Sequence, residues 1–269
     1  MVTSFEFRLH SVGPTVMAGP IFWNATDAGE VLRFYRDFVR DAPDALGTVV
    51  RFGTAPPLAA IPEALQWRPV VMAGTCYAGA IEDGERALRP LRAFRTPLLD
   101  LVGPTPYVVF QSAIDSTVLH GWNYYWKSRY VPELRDDLID VIAEHAFSCS
   151  SPRSYVAMFH LRGAVSRVAE GGTAFGNRKA AHAITLDGVW RPGEHFGDRD
   201  TAWAKEFFAA LGRFREGVYV NFLGGDEDLD RDREAYGGAV DDRLVDVKTT
   251  YDPDNIFHHS QNIRPALSG

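Results

Sequence analysis

Two cysteines, Cys76 and Cys149, are too few for a disulfide framework, and no C-x-x-C pair suggests a zinc site. Cationic excess is lacking as well. The 28 lysines and arginines face 35 acids for a net charge of −7, which disfavours non-specific attachment to nucleic acid or to an anionic membrane. No apolar run approaches the ~18 residues that cross a bilayer, and the opening residues show no basic stretch followed by an apolar one. Neither G-x-G-x-x-G nor G-x-x-x-x-G-K-[ST] occurs, so no self-contained nucleotide cradle is visible, and G-x-S-x-G is absent too. The histidines are scattered except for His258-His259, and chain neighbours usually point apart, which argues against a metal centre. The expectation is a cytoplasmic protein acting on a small molecule, with neither nucleic acid nor membrane as partner.

What is present is core-forming material. Of the 269 residues 46% are hydrophobic and 12% aromatic, enough for one large domain or two small ones and too much for a disordered chain. The acidic balance is local: nine acids and three arginines lie between Asp226 and Asp246, and the remainder is close to neutral.

Periodicity places the elements. Alternation predicts strands over Ser4–Leu9, Thr15–Trp23, Thr48–Phe52, Val70–Tyr77, Tyr155–Leu161, Ala181–Trp190 and Val218–Phe222. Helices are predicted from Thr26 to Pro43, with Asp27 and Glu30 spaced as a capping box, and over Asp83–Phe94, Pro132–Phe147 and Thr201–Phe214. Tyr107–Phe110 is a short apolar run, and two short helical pieces fall near Asp228–Tyr236 and Asp241–Thr249. Many strands with short connections predict an α+β fold, an antiparallel β-sheet with helices covering one face. The simplest division is residues 1–223 followed by a distinct C-terminal arm, 224–269.

Chemistry is sparse. In Val218-Tyr219-Val220-Asn221 the two-residue strand period sets Tyr219 and Asn221 on one face, where a hydroxyl and an amide can meet a polar ligand or simply face solvent. Ala181–Trp190 likewise sets Thr185 and Asp187 together, opposite Ile184 and Leu186. Cys76, among Met, Ala and Tyr, fits a small core residue.

The C-terminal arm narrows the choice. Tyr236-Gly237-Gly238, Arg243 to Lys248, Tyr251-Asp252-Pro253-Asp254-Asn255-Ile256-Phe257 and Gln261-Asn262-Ile263-Arg264-Pro265 together resemble the C-terminal segment of berberine-bridge-enzyme-like FAD-linked oxidases, a family of the vanillyl-alcohol-oxidase fold. Upstream, Cys76-Tyr77-Ala78-Gly79 with Gly84 to Arg92, Tyr125-Trp126-Lys127-Ser128 with Tyr130, and Thr173-Ala174-Phe175-Gly176 with Arg178 and Trp190 resemble the substrate domain of bacterial members. The resemblance extends over essentially the entire chain. It implies that a phrase like Val2 to Phe7 follows directly on a flavin domain whose motifs are not in these 269 residues, so substrate domain plus C-terminal arm is the expected content.

The resemblance also implies roles. Tyr219 matches the tyrosine of the family's Tyr-x-Asn phrase and is the candidate base for a substrate hydroxyl. A free phenol, with pKa ~10, needs help to act at neutral pH. Asn221 is placed beside it, near FAD or the pocket floor. Thr185, Asp187, His160 and Arg162 are the candidate substrate-binding residues, with Asp187 and Arg162 as departures from the common family pattern. The implied cofactor is FAD, held in the complete enzyme by a flavin domain in cis or in trans and not tightly by this chain alone. The implied substrate is an alcohol, sugar or natural-product scaffold. An apolar face normally covered by the flavin domain predicts self-association. The competing reading is a stand-alone binding or relic unit without flavin.

Overall fold

A computed structural model of the protein describes residues 3–214, 216–224, 231–259 and 261–266, with the side chains of 231 and 232 excepted. Its frame is one antiparallel sheet built from β1 (Thr15–Asn24), β2 (Leu46–Thr54), β3 (Pro69–Tyr77), β4 (Leu99–Asp100), β5 (Gly103–Pro106), β6 (Asn123–Val131), β7 (Tyr155–His160) and β8 (His182–Trp190). The strand order is β4-β1-β3-β2-β7-β8-β6, with β5 also paired to β1. Gly19 makes that double pairing sterically possible: its φ is +147°, and a Cβ there would lie 2.3 Å from the Leu101 carbonyl oxygen.

The helices are α1 (Ala28–Arg40), α2 (Ile81–Ala93), α3 (Tyr107–Gln111), α4 (Asp136–His145), α5 (Ala164–Arg167), α6 (Gly197–Ala210), α7 (Arg231–Tyr236) and α8 (Gly238–Tyr251). Helices α1, α2, α4 and α6 cover one sheet face, so the fold is the expected α+β arrangement. Between the layers, Ile21, Phe52, Met158 and Leu186 of the sheet meet Leu32 and Tyr35 of α1, Leu88 of α2, Ile139 of α4 and Phe207 of α6. Each such side chain contributes roughly 1.5–3 kcal/mol through burial. Because side chains alternate along a strand, the intervening residues, among them Arg51, Tyr155, Thr185, Asp187 and Ser128, belong to the opposite face.

Several local expectations give way to tertiary structure. Ser4–Leu9 forms no strand despite its alternation: Phe5, Phe7 and Leu9 are exposed and no ladder partner is available. Asp27 and Glu30 form no capping box, because both carboxylates turn to Arg95 instead, at 3.0 and 2.6 Å. Tyr107–Phe110 is the bulk of α3, and the helix expected from Pro132 begins only at Asp136. Strand β6 carried no clear alternation. Lys127 and Arg129 are buried on its helix side, under the ring of Phe208, where an apolar residue would signal a strand. Of the acidic segment, Asp226, Glu227, Asp228 and Asp230 lie outside the described residues, as does the side chain of Asp232.

One buried carboxylate ties α6 to the loop before β7. Asp200 is fully buried and accepts hydrogen bonds from the backbone N–H of Ser150 at 2.7 Å and of Ser151 at 3.1 Å, and from the Ser154 hydroxyl. The same Ser154 hydroxyl accepts from Val189 N–H at 2.9 Å, which links the loop to β8. Removing the carboxylate orphans several buried donors at once. Asp200→Ala is therefore expected to lower unfolding stability by about 3 kcal/mol, read as a lower urea midpoint at unchanged slope.

Candidate active site on the open sheet face

The C-terminal edge of the sheet determines where Tyr219 goes. At Gly217 the returning chain makes a single antiparallel bridge to Tyr130 of β6, through Tyr130 N–H to Gly217 O at 2.9 Å and Glu216 N–H to Tyr130 O at 3.0 Å. Gly217 has φ +150°, which strains any residue with a side chain, and a Cβ there would also push against the Asn177 amide, 2.2 Å from its Oδ1. The ladder then stops. Tyr219 N–H donates to the Ser128 hydroxyl at 3.3 Å instead of a strand carbonyl, and residues Val220–Phe222 curl into a 3₁₀ turn. The strand expected over Val218–Phe222 is therefore a turn, and strand alternation is not what brings Tyr219 and Asn221 together. The turn does so: Asn221 Nδ2 donates to Tyr219 Oη at 2.7 Å.

Around Tyr219 stands an aromatic wall. Its ring meets Tyr130 at 6.4 Å, Phe175 at 6.3 Å and Phe222 at 5.5 Å between centroids, and Phe222 in turn meets Trp126 edge-on at 5.8 Å. Burial, with Tyr219 close by, pushes the Tyr130 phenol well above its ordinary range, so Tyr130 is a neutral neighbour. Arg178 lies 4.7 Å over the Phe175 ring and donates to the Thr173 hydroxyl at 2.6 Å, which fixes that part of the wall.

Thr185 and Asp187 extend the same face. Register pairs Ser128 with Thr185 and Trp126 with Asp187, so β6 lies between these two residues and the Tyr219 turn. Both are buried, and the Thr185 hydroxyl donates to Asp187 Oδ2 at 2.6 Å. Burial raises the Asp187 carboxyl to about 6, against the Thr185 hydrogen bond and the Arg51 charge, which pull the other way. Arg51 lies 4.3 Å over the Tyr155 ring, on the strand next to Asp187.

His160 and Arg162 stand elsewhere. His160 is the cross-strand partner of His182, whose ring packs towards Tyr35 of α1, on the helix-covered side of the sheet. Arg162 is exposed and donates to the carbonyls of Val39 at 2.7 Å and Ala42 at 3.1 Å, at the C-terminal end of α1. Neither is brought together with Tyr219, Asn221, Thr185 or Asp187. Strand alternation explains the separation: His160 is three residues from Ala157, the cross-strand partner of Thr185, so an odd count sends it to the other face. The residues that sequence reading left out are Ser128, Tyr130, Trp126, Phe175 and Phe222. A hint lay in Tyr125-Trp126-Lys127-Ser128 and Thr173 to Gly176, but only the sheet register assembles them. Among the described residues no three His, Cys, Asp or Glu side chains converge to hold a metal ion, and no helix is long and apolar enough to cross a membrane.

Comparison with known proteins agrees with this architecture. Residues 218–264 match the family model described as berberine and berberine like. An FAD-linked oxidoreductase of Dictyostelium discoideum is 26% identical over 269 residues, 98% of this chain and 55% of its own length. Among solved structures, 6-hydroxy-D-nicotine oxidase from Arthrobacter nicotinovorans superposes with a TM-score of 0.76 at 20% identity, over 94% of this chain and 55% of that one. Physcomitrella patens BBE-like 1 does so with a TM-score of 0.78 at 17% identity, over 97% and 56%. The chain thus spans about half the length of these relatives.

The buried carboxylate gives a pH signature. Asp187 in the folded protein holds its proton up to about pH 6, whereas the unfolded chain releases it near 3.8, so its contribution to stability falls as pH rises between these values. His182, which burial holds at about 3, acts oppositely in an overlapping window. The expected outcome is therefore a difference: Asp187→Asn should match the parent below pH 4 and gain on it by up to about 3 kcal/mol by pH 7. Urea melts of both proteins across that range check this, and parallel profiles would refute it.

Proposed function

We propose, for a chain whose residues 218–264 match the family model described as berberine and berberine like, that it forms the substrate side of an FAD-linked oxidoreductase. Its substrate carries a hydroxyl on the carbon to be oxidised, in an alcohol, sugar or natural-product scaffold. The observation that carries this reading is the 2.7 Å contact from Asn221 Nδ2 to Tyr219 Oη at the aromatic wall of an open sheet face.

The aromatic wall of Trp126, Phe222, Tyr219 and Tyr130 fits a flat isoalloxazine ring, while no glycine-rich phosphate loop occurs among the 269 residues. The wall and Asn221 would hold the ring side of FAD, and the pyrophosphate would be held by a flavin-carrying part in cis or in trans. When bound, FAD supplies the hydride acceptor. Tyr219 Oη, as phenolate, takes the proton of the substrate hydroxyl while the adjoining carbon loses hydride and becomes a carbonyl. Asn221 is the positioning residue: its amide donates to Tyr219 Oη and fixes the phenol ring. Asp187 and Thr185, on the same face, suit a substrate hydroxyl, Asp187 accepting from it when ionised. Trp126 and Phe159 remain 38% and 43% exposed on this side, apolar area that a flavin-carrying part, or a second copy, would cover.

A stand-alone binding unit is the second reading. Two measurements separate them. The 269-residue chain mixed with FAD is expected to stay nearly unbound, and the flavin-loaded protein containing it to bleach at the flavin band when given substrate. In that protein Tyr219→Phe should slow bleaching about 10²–10⁴-fold, and Asn221→Ala less. Bleaching at the parent rate in Tyr219→Phe would remove Tyr219 as base, and a flavin-loaded protein that no hydroxylated substrate bleaches would favour the binding unit.

A further inference from the structure

On the helix-covered side of the sheet, away from Tyr219, lies a cavity of about 470 Å³. Residues Pro132–Arg135, which precede α4, line one wall of it, and Arg36, Val39 and Arg40 from the C-terminal half of α1 line another. Its apolar lining is Val39, Pro132, Leu134 and Ala181, and its inner end is the cross-strand pair His160 and His182, with ring centroids 5.2 Å apart.

Two independent observations point to a ligand. First, His182 is 4% exposed, yet neither Nδ1 nor Nε2 has a hydrogen-bond partner. A buried imidazole left in this way costs free energy that a bound polar group would recover. Second, guanidiniums crowd the rim, each of them also held by a carboxylate: Arg36 meets Asp37 at 3.3 Å, and Arg33 meets Asp140 at 2.6 Å. Arg36, Arg40 and Arg135 line the cavity against Glu133 and Asp136. The Asp136 carboxylate is shared by two guanidiniums, Arg33 at 3.3 Å and Arg36 at 2.8 Å. Arg162 adds a further cation beside His160, its guanidinium bonded to the carbonyls of Val39 and Ala42. Arg40 pairs with Asp37, and Arg135 with Asp137 at 3.1 Å, and each guanidinium retains N–H donors beyond those bonds. The N-terminal turn of α4 adds partial positive charge to the same rim.

We propose that this cavity binds a small organic anion: an apolar body carrying one carboxylate or phosphate. The oxyanion meets Arg40 and Arg135 at the rim, the body lies against Val39, Pro132 and Leu134, and a polar group of the body hydrogen-bonds His182. The volume is in the range of ordinary small-molecule sites. The site is separate from the open sheet face and does not depend on flavin.

Calorimetric titration of the 269-residue chain tests it, with phenyl phosphate and benzoate as anionic probes, benzyl alcohol as a neutral body and inorganic phosphate as a bodiless anion. One aromatic anion is expected to bind at least about tenfold more tightly than benzyl alcohol and than inorganic phosphate, and the tighter of the two identifies the head group. Binding should shift the imidazole C–H resonances of His160 and His182. Arg40→Gln, at an exposed side chain, should weaken it at least about fivefold with an unchanged melting temperature, while Glu133→Gln should leave it equal or tighter. Because His182 is buried and its removal would leave a hole in the packing, the imidazole resonances of the parent protein report the inner contact. Equal binding of anion and alcohol, equal binding of inorganic phosphate, silent imidazole resonances, or affinity indifferent to Arg40→Gln would each overturn the proposal.

Discussion

The pairing of β6 with β8 is the constraint on which the sheet-face site depends. It sets Ser128 opposite Thr185 and Trp126 opposite Asp187, and it presents Tyr130 to Gly217. From that one bridge the chain is released into the turn that carries Tyr219, with Ser128 taking the Tyr219 N–H that a further ladder step would have used. A one-residue slip of β6 would move Ser128, Tyr130 and Trp126 to the helix side and bring Lys127 and Arg129 to the site. The buried cations oppose such a slip: Arg129 stacks 3.8 Å over Phe208 of α6 on the helix side and pairs with Glu234 at 3.0 Å.

A single sheet therefore separates two kinds of polar environment. On the open face a carboxylate is buried beside a hydroxyl and near a guanidinium, and burial is the largest influence, so Asp187 holds its proton up to about pH 6. On the covered face burial acts on an imidazole, so His182 sheds its proton. The same desolvation drives opposite shifts because the charged form is the deprotonated one in the first case and the protonated one in the second. At neutral pH the covered face therefore presents a neutral imidazole, whereas the open face presents a carboxylate that has given up its proton near pH 6.

Much of the architecture was legible in the residues. The strands at Thr15, Thr48, Val70, Tyr155 and Ala181 and the helices from Thr26, Asp83 and Thr201 follow from period-two and period-three-to-four patterns of apolar residues. The misses share a cause. Ser4–Leu9 alternates but finds no partner, and β6 finds partners without alternating cleanly, because a strand is completed by hydrogen bonds to another strand that local sequence does not contain. Tyr219 and Asn221 adjoin each other, as strand geometry would have placed them, but through a turn entered at Gly217, whose φ of +150° favours glycine.

By itself, then, the sequence determined which residues are apolar, roughly where most helices and strands lie, and a C-terminal segment whose fixed positions match a family model. Those are properties of short stretches, governed by side-chain period, turn residues and spacing. Tertiary structure alone decided that Ser128, Tyr130, Phe175 and Phe222 surround Tyr219, that Thr185 and Asp187 share its face, and that His160 and Arg162 do not. The reason is geometric: neighbours from different strands are chosen by register, and a register is a relation between distant segments.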